Sequence, residues 1–153
     1  MVYRVITVAI DGSDHASAAL ASAVDLAKHY GSELVILSVA PLAPVYVAPN
    51  QPFSTPVAPE NPMPEFRAIV DSAVHTAQAA GVKVVTGVCY DGAIVDEVLA
   101  HLASNPTDLL VVGSRGLSTA KRILLGSTSA ALVTHAPCPV LVVRPSATKP
   151  PDL

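Results

Sequence analysis

The chain has 153 residues, of which 51% are apolar and 14% are charged, with a formal net charge of −3. This length suits one ordinary domain with a single sizeable core, and the high apolar content excludes disorder over most of the chain. The small acidic charge argues against a nucleic acid or an anionic membrane as a partner of the whole surface, so any anion site must be local.

The N-terminus and the two cysteines indicate the compartment. No apolar run approaches the about 18 residues that span a bilayer, and the opening "MVYRVITVAIDGSD" lacks the pattern of a secretory signal. Cys89 and Cys138 are lone thiols rather than parts of a disulfide framework. We therefore expect a cytoplasmic protein.

Short β-branched runs alternate with helical patterns along the chain. Nearly continuous apolar runs are typical of a parallel sheet that is buried on both faces. Such runs predict five strands, at Tyr3–Asp11, Glu33–Ala40, Val82–Val88, Asp108–Ser114 and Pro139–Pro145.

Helical patterns fill the spaces between these strands. The first ends at Gly31, a suitable residue just after a helix, and its apolar face comprises Ala16, Ala19, Leu20, Ala23, Val24, Ala27 and Tyr30. The second covers Glu65 to Ala80. The third carries Ile94, Val95, Val98, Leu99 and Leu102 and stops before Asn105-Pro106, and the fourth runs from Gly126-Ser127 to a point before Pro137. This alternation predicts an α/β fold with an open parallel sheet and right-handed crossovers.

One proline-rich segment interrupts the alternation. Residues 41–64 hold eight of the fourteen prolines and almost no charge, so they form neither a helix nor a central strand. The segment is too long for an ordinary connection, which leaves a loop, a lid, a partner-binding arm or a tolerated insertion as its role. We expect one domain over residues 1–146, with a C-terminal tail at 147–153.

Ligands of an open α/β sheet bind beyond the carboxyl ends of its strands. The stretch "VVGSRGLSTAKRILLGSTSA" begins at such an end, where Gly113 and Gly116 leave backbone N–H groups uncovered. Gly126-Ser127-Thr128-Ser129 then opens a helix, whose N–H groups and hydroxyls add donors for an anion. Arg115, Lys121 and Arg122 concentrate positive charge here, which favours a polyphosphate over an ordinary flexible loop with a serine cap.

Asp11 follows the first strand and is the second candidate. It could accept a ribose hydroxyl or help to hold Mg²⁺, which prefers one or two carboxylates together with phosphate oxygens. It could equally be a turn residue in Asp-Gly-Ser-Asp. His135 and Cys138 have a spacing that a metal could use, but no second pair completes a zinc site.

Asp11-Gly12-Ser13 together with Gly113-x2-Gly116-x9-Gly126-Ser127 resembles the universal stress protein family, and the glycine spacing resembles its ATP-binding branch. The similarity covers essentially the whole chain, including "THAPCPVLVVRP", and only the proline-rich segment departs from it. The resemblance implies a Rossmann-like sheet of five parallel strands in the order 3-2-1-4-5. It also implies a homodimer that binds ATP without a strong established turnover.

The resemblance also assigns site residues. Asp11 would contact the ribose or the phosphate side, with Mg²⁺ bound through ATP, and the backbone of Val39 would lie against adenine. The full set of expected nucleotide contacts is Ala9, Asp11, Val39, Gly113, Ser114, Arg115, Gly116, Gly126, Ser127 and Thr128. Val140–Val143 would form an edge strand. Either two such strands pair across a two-fold axis in the dimer, which we favour, or the proline-rich segment covers this edge.

Three functions remain open. The first is a nucleotide-dependent switch whose dimer or proline-rich loop responds to ATP. The second is a slow ATPase or an adenylate-forming enzyme, although "DGSDHAS" lacks the double glycine that would hold pyrophosphate. The third is a phosphoacceptor receiver domain, which the single Asp11 and the glycine loop disfavour.

Overall fold

The described strands form one parallel sheet in the order β3-β2-β1-β4-β5. In the computed structural model, which describes residues 2–42, 61–115 and 125–145, these are β1 (Val5–Ala9), β2 (Glu33–Pro41), β3 (Val85–Gly92), β4 (Leu109–Gly113) and β5 (Val140–Val143). Ile6 at the centre of the sheet lies beside Leu34 of β2 and Leu109 of β4. The predicted parallel sheet and its strand order are confirmed.

Helices cover both faces of this sheet. They are α1 (Asp14–Tyr30), α2 (Met63–Ala79), α3 (Ile94–Ser104) and α4 (Ser127–His135). Successive side chains of a strand point to opposite faces, so one set, including Ile6 and Val8, packs with α1 and α2. The other set, including Leu37 and Val39, packs with α3 and α4. The core therefore consists of two apolar layers with the sheet between them.

Burial on both faces holds for the centre of the sheet and not for its edges. Every residue of β4 is buried, and β1 is buried at its three central positions. The edge strands β3 and β5 carry exposed and half-buried residues. An edge strand has a neighbour on one side only, which explains the difference.

Both ends of α1 carry residues that are typical of helix ends. Ser13 caps the first turn, because its Oγ accepts the Ala16 N–H at 3.2 Å. Gly31 ends the helix in the left-handed region, with φ of 68°. The predicted apolar face is buried except at Leu20, which is half-buried, and at the last residue, Tyr30, which is exposed.

The third strand begins later than the sequence predicts. Val82 belongs to the turn after α2, because its N–H donates to the Ala77 carbonyl at 3.1 Å and its side chain is buried. The strand instead starts at Val85 and continues to Gly92, paired with β2 as far as Pro41. Strand pairing has set these boundaries where the apolar run alone could not.

Some of the expected features lie outside the described residues. They are residues 43–60 of the proline-rich segment, Gly116, Lys121 and Arg122 of the glycine-rich stretch, and residue 146 together with the expected tail at 147–153. Among the residues that the structure does describe, none of the helices is both long and apolar enough to cross a membrane.

Candidate functional site

A cleft opens at the carboxyl edge of the sheet, beside the ends of β1 and β4 and the part of β2 that continues beyond them. This is the point at which the strand order reverses, and ligands of open α/β sheets bind there. The cleft has a cavity volume of about 90 Å³, and its empty space including the open solvent at its mouth is about 580 Å³. The lining residues come from strand ends (Ala9, Ile10, Asp11, Leu37, Ser38, Val39, Val112, Gly113, Arg115) and from helices (Ala16, Ile94, Val98, Thr128, Ser129, Leu132).

Asp11 stands between β1 and α1 in the wall of this cleft. Its Oδ1 accepts the backbone N–H of Ser13 at 3.0 Å, which is the local hydrogen bond of an Asx turn. Asp11 therefore forms the turn and also lines the cleft, so the two roles considered from the sequence are compatible. The turn holds the carboxylate at the carboxyl edge of the sheet.

Val39 presents backbone groups to the cleft. The Leu37 carbonyl accepts the Ile10 N–H at 2.9 Å, so the backbone polar groups of Leu37 face β1. Alternate residues of a strand direct these groups to the same side. The backbone polar groups of Val39 therefore also point toward the β1 side, but at a level beyond Ala9, the last residue of β1. A flat heterocycle beside Val39 could form hydrogen bonds with this backbone.

The start of α4 closes the other side of the cleft. Gly126 is its N-cap and makes no side-chain capping hydrogen bond. The Gly126 N–H itself donates to the Ser114 carbonyl at 2.7 Å. The first turn of a helix carries N–H groups and the positive end of the helix dipole, which favour an anion. Thr128 in this turn lines the cleft.

The hydroxyl groups at the start of α4 have different roles. The buried Ser129 Oγ donates to the Gly113 carbonyl at 2.6 Å, so this hydroxyl joins α4 to β4. Ser127 is exposed and lies outside the cleft lining, as does Gly126. Of the three residues whose hydroxyls the sequence offered as donors, Thr128 and Ser129 line the cleft, and the Ser129 hydroxyl is the one that is bonded to Gly113.

Gly113 lines the cleft and also leaves room for α1 to pack against β4. A Cβ at this position would lie 2.8 Å from the carbonyl carbon and 2.9 Å from the carbonyl oxygen of His15. The first turn of α1 thus passes directly over the end of β4. Ser114, the next residue, is buried and points its Oγ to His15 Nδ1 at 2.8 Å, away from the cleft lining.

Arg115 brings positive charge into the lining, where Asp11 supplies the carboxylate. A guanidinium binds phosphate through paired N–H donors. Sequence reasoning missed the apolar wall, which α3 and α4 form with Ile94, Val98 and Leu132. The position of α3 directly after β3 is the signal that could have revealed the first two, because its first turn must lie at the carboxyl edge.

The two cysteines do not line the cleft. Burial raises the pKa of the Cys89 and Cys138 thiols, which favours their protonated form. Within residues 2–42, 61–115 and 125–145, no three His, Cys, Asp or Glu side chains are placed to share a metal ion.

Residues 2–144 match the model of the universal stress protein family. The chain belongs to this family. The universal stress protein YxiE of Bacillus subtilis is 36% identical over 151 residues, covering 94% of this chain and 100% of that one.

Solved structures of universal stress proteins have the same fold. UspA from Lactobacillus plantarum matches with a TM-score of 0.72 and 24% identity, over 94% of this chain and 99% of that one. A universal stress protein solved in complex with cAMP matches with a TM-score of 0.71 and 29% identity, over 95% of this chain and 100% of that one.

Proposed function

We propose that this universal stress protein binds ATP in the cleft and acts as a nucleotide-dependent binding module. The observation that carries the proposal is the meeting of Asp11, Arg115 and the first turn of α4 at one opening of the sheet. A carboxylate, a guanidinium and a helix N-terminus together suit a ribose with attached phosphates. The related structure that contains cAMP supports an adenine nucleotide.

The cleft suggests how ATP would be oriented. The base would lie between the Val39 backbone and the apolar wall of Ile94 and Val98, and the phosphates would face Arg115 and Thr128. Adenine has a flat apolar face and polar edges, which matches a wall of this kind beside exposed backbone groups. The spacing Gly113-x2-Gly116-x9-Gly126-Ser127 adds independent support, although Gly116 lies outside the described residues.

Mg²⁺ would be bound together with the phosphates. Among the described lining residues Asp11 is the one carboxylate, and Mg²⁺ at nucleotide sites typically uses one or two carboxylates plus phosphate oxygens. The residues present therefore fit a magnesium ion that arrives with ATP. We expect omission of Mg²⁺ from a titration to weaken ATP binding and to leave adenosine binding unchanged.

The first test is to denature the purified protein and identify any released nucleotide by chromatography and mass. A calorimetric titration with Mg-ATP then gives the affinity. Arg115→Gln removes a charge-assisted contact, so we expect binding to weaken by about tenfold. Lys28→Gln removes the same charge from the exposed last turn of α1 and serves as the control.

Asp11→Asn tests the other side of the cleft, with the exposed Asp25→Asn of α1 as its control. We expect Asp11→Asn alone to weaken binding of Mg-ATP. No released nucleotide and no heat of binding with Mg-ATP for the wild type would refute the proposal. Equal losses in the control variants would show that net charge, and not the cleft, determines the affinity.

Cyclic AMP is a second candidate ligand, favoured by the relative that was solved with it. The two candidates differ in the charge near Arg115. If ATP is the ligand, Arg115→Gln weakens ATP more than cAMP, because the triphosphate carries more charge to this guanidinium. Tighter wild-type binding of cAMP than of ATP would identify the monophosphate as the ligand.

Slow hydrolysis or adenylate formation is the remaining enzymatic alternative. Release of ADP or of AMP clearly above background, abolished in Asp11→Asn, would establish it. Binding without either product would leave the protein as a binding module.

We also infer a homodimer that forms through β5. This strand lies at the edge of the sheet, and Leu141 is 37% exposed there. An exposed apolar edge strand tends to pair with another copy, and antiparallel pairing of two β5 strands gives two-fold symmetry. Leu141→Lys should convert the dimer to a monomer in light scattering. The exposed Val84→Lys next to the opposite edge strand should not, and a wild-type monomer would refute the inference.

A further inference from the structure

The hydrogen bond between His15 and Ser114 joins two segments that are 99 residues apart in the chain. His15 Nδ1 lies 2.8 Å from Ser114 Oγ. His15 belongs to the first turn of α1, and Ser114 directly follows β4. Ser114 is 1% exposed, so its hydroxyl is removed from water and depends on this partner.

The backbone around Ser114 is tied to two further elements, β5 and α4, and makes a second contact with α1. The Ser114 N–H donates to the Val143 carbonyl of β5 at 2.8 Å, and the Ser114 carbonyl accepts the Gly126 N–H at the start of α4 at 2.7 Å. Gly113 packs directly against the backbone of His15. Ser114 is therefore the residue at which α1, α4, β4 and β5 meet.

These contacts surround the residues that line the phosphate side of the cleft. Gly113 and Arg115, on either side of Ser114, both line the cleft, whereas Ser114 does not. We propose that His15 is a positioning residue for the nucleotide: its bond to Ser114 holds Arg115 and the start of α4 in the arrangement that receives phosphate. This inference rests on the proposed nucleotide function and adds to it a residue that contacts no ligand.

The expected effect follows from the fraction of molecules that are ready to bind. If the bond is lost, the β4 end and the α4 start are held less firmly, and the measured dissociation constant rises as the binding-competent fraction falls. Adenosine, which lacks phosphates, relies on the Val39 side of the cleft. Its affinity should therefore change little.

Two substitutions of matched shape provide the test. Leucine and asparagine both place two atoms where His15 has Nδ1 and Cδ2, but only asparagine offers a polar atom to Ser114. His15→Leu should weaken Mg-ATP binding by about tenfold, and His15→Asn should restore it to within about twofold of the wild type. Ser114→Ala should resemble His15→Leu, and the double variant should be no weaker than either single variant.

The titrations are made well below each variant's melting temperature, with adenosine as the second ligand. Unchanged ATP affinity in His15→Leu, or equal losses for ATP and adenosine, would overturn the positioning role and leave the proposed function standing. A wild type that binds neither ligand would overturn both. Equal behaviour of His15→Leu and His15→Asn would show that the hydrogen bond does not matter.

Discussion

Gly113→Ala separates two explanations for the glycine that ends β4. In the sequence, Gly113 indicates close approach of an anion to the backbone. In the structure, its missing side chain also makes room for α1, because an added Cβ would lie 2.8 to 3.0 Å from three atoms of His15. The nearest two of these are main-chain atoms, so the helix itself would have to move.

The size of the effect can be estimated from opposing contributions. Forcing an extra methyl group into a packed interior costs about 1–3 kcal/mol. Gly113 is not among the glycines with positive φ, so alanine can adopt the same backbone conformation. The substitution then stabilises the protein by about 0.4–1 kcal/mol, because alanine restricts the unfolded chain. We expect a net loss of about 1–2 kcal/mol, or about 2–8 °C in melting temperature.

Urea unfolding without nucleotide is the suitable assay, since it removes any contribution from a ligand. A loss of stability shows that α1 needs the glycine. His15→Ala should not rescue Gly113→Ala, because the contact is with the backbone of His15. Unchanged or higher stability, with weakened ATP binding alone, would refute the packing argument and leave ligand approach as the sole reason for the glycine.

Three further predictions concern stability. Asp108 accepts N–H groups of Arg4 at 2.8 Å and Val5 at 2.9 Å, and hydrogen bonds from Val5 and Arg4 lower its pKa. The stability that these hydrogen bonds give is therefore lost as the pH falls below about 3.8 through the folded-state pKa. Asp108→Ala should make the melting temperature depend less on pH in this range, and an equally steep pH dependence in the wild type and the variant would contradict this. Burial lowers the pKa of His101, whose Nε2 is buried without a partner among the described residues. Stability should thus decline as the pH falls below about 6.5, and His101→Leu should remove that slope in urea midpoints, whereas a persisting slope would assign it to other groups. Ser129→Ala removes the buried hydrogen bond to the carbonyl at the end of β4 and should cost about 1–3 kcal/mol in urea unfolding, with no change counting against it.

The sequence determined the fold class and the edge of the sheet that carries the cleft. The hydrophobic period that marks a strand or a helix depends only on residues that are close together in the chain. Parallel strands bring their carboxyl ends to one edge of the sheet. Asp11 and Arg115, which follow two such strands, could therefore be placed together from the sequence pattern alone. The caps of α1 at Ser13 and Gly31 are equally local signals.

Only the tertiary structure decided how individual side chains are used. Nothing local in the sequence shows that the Ser129 hydroxyl, rather than that of Thr128, donates to the Gly113 carbonyl. Likewise, the bond from His15 to Ser114 joins residues 99 positions apart. Such contacts depend on how α1 and α4 lie on the sheet, and that placement follows from packing across the whole molecule rather than from the spacing of residues along the chain.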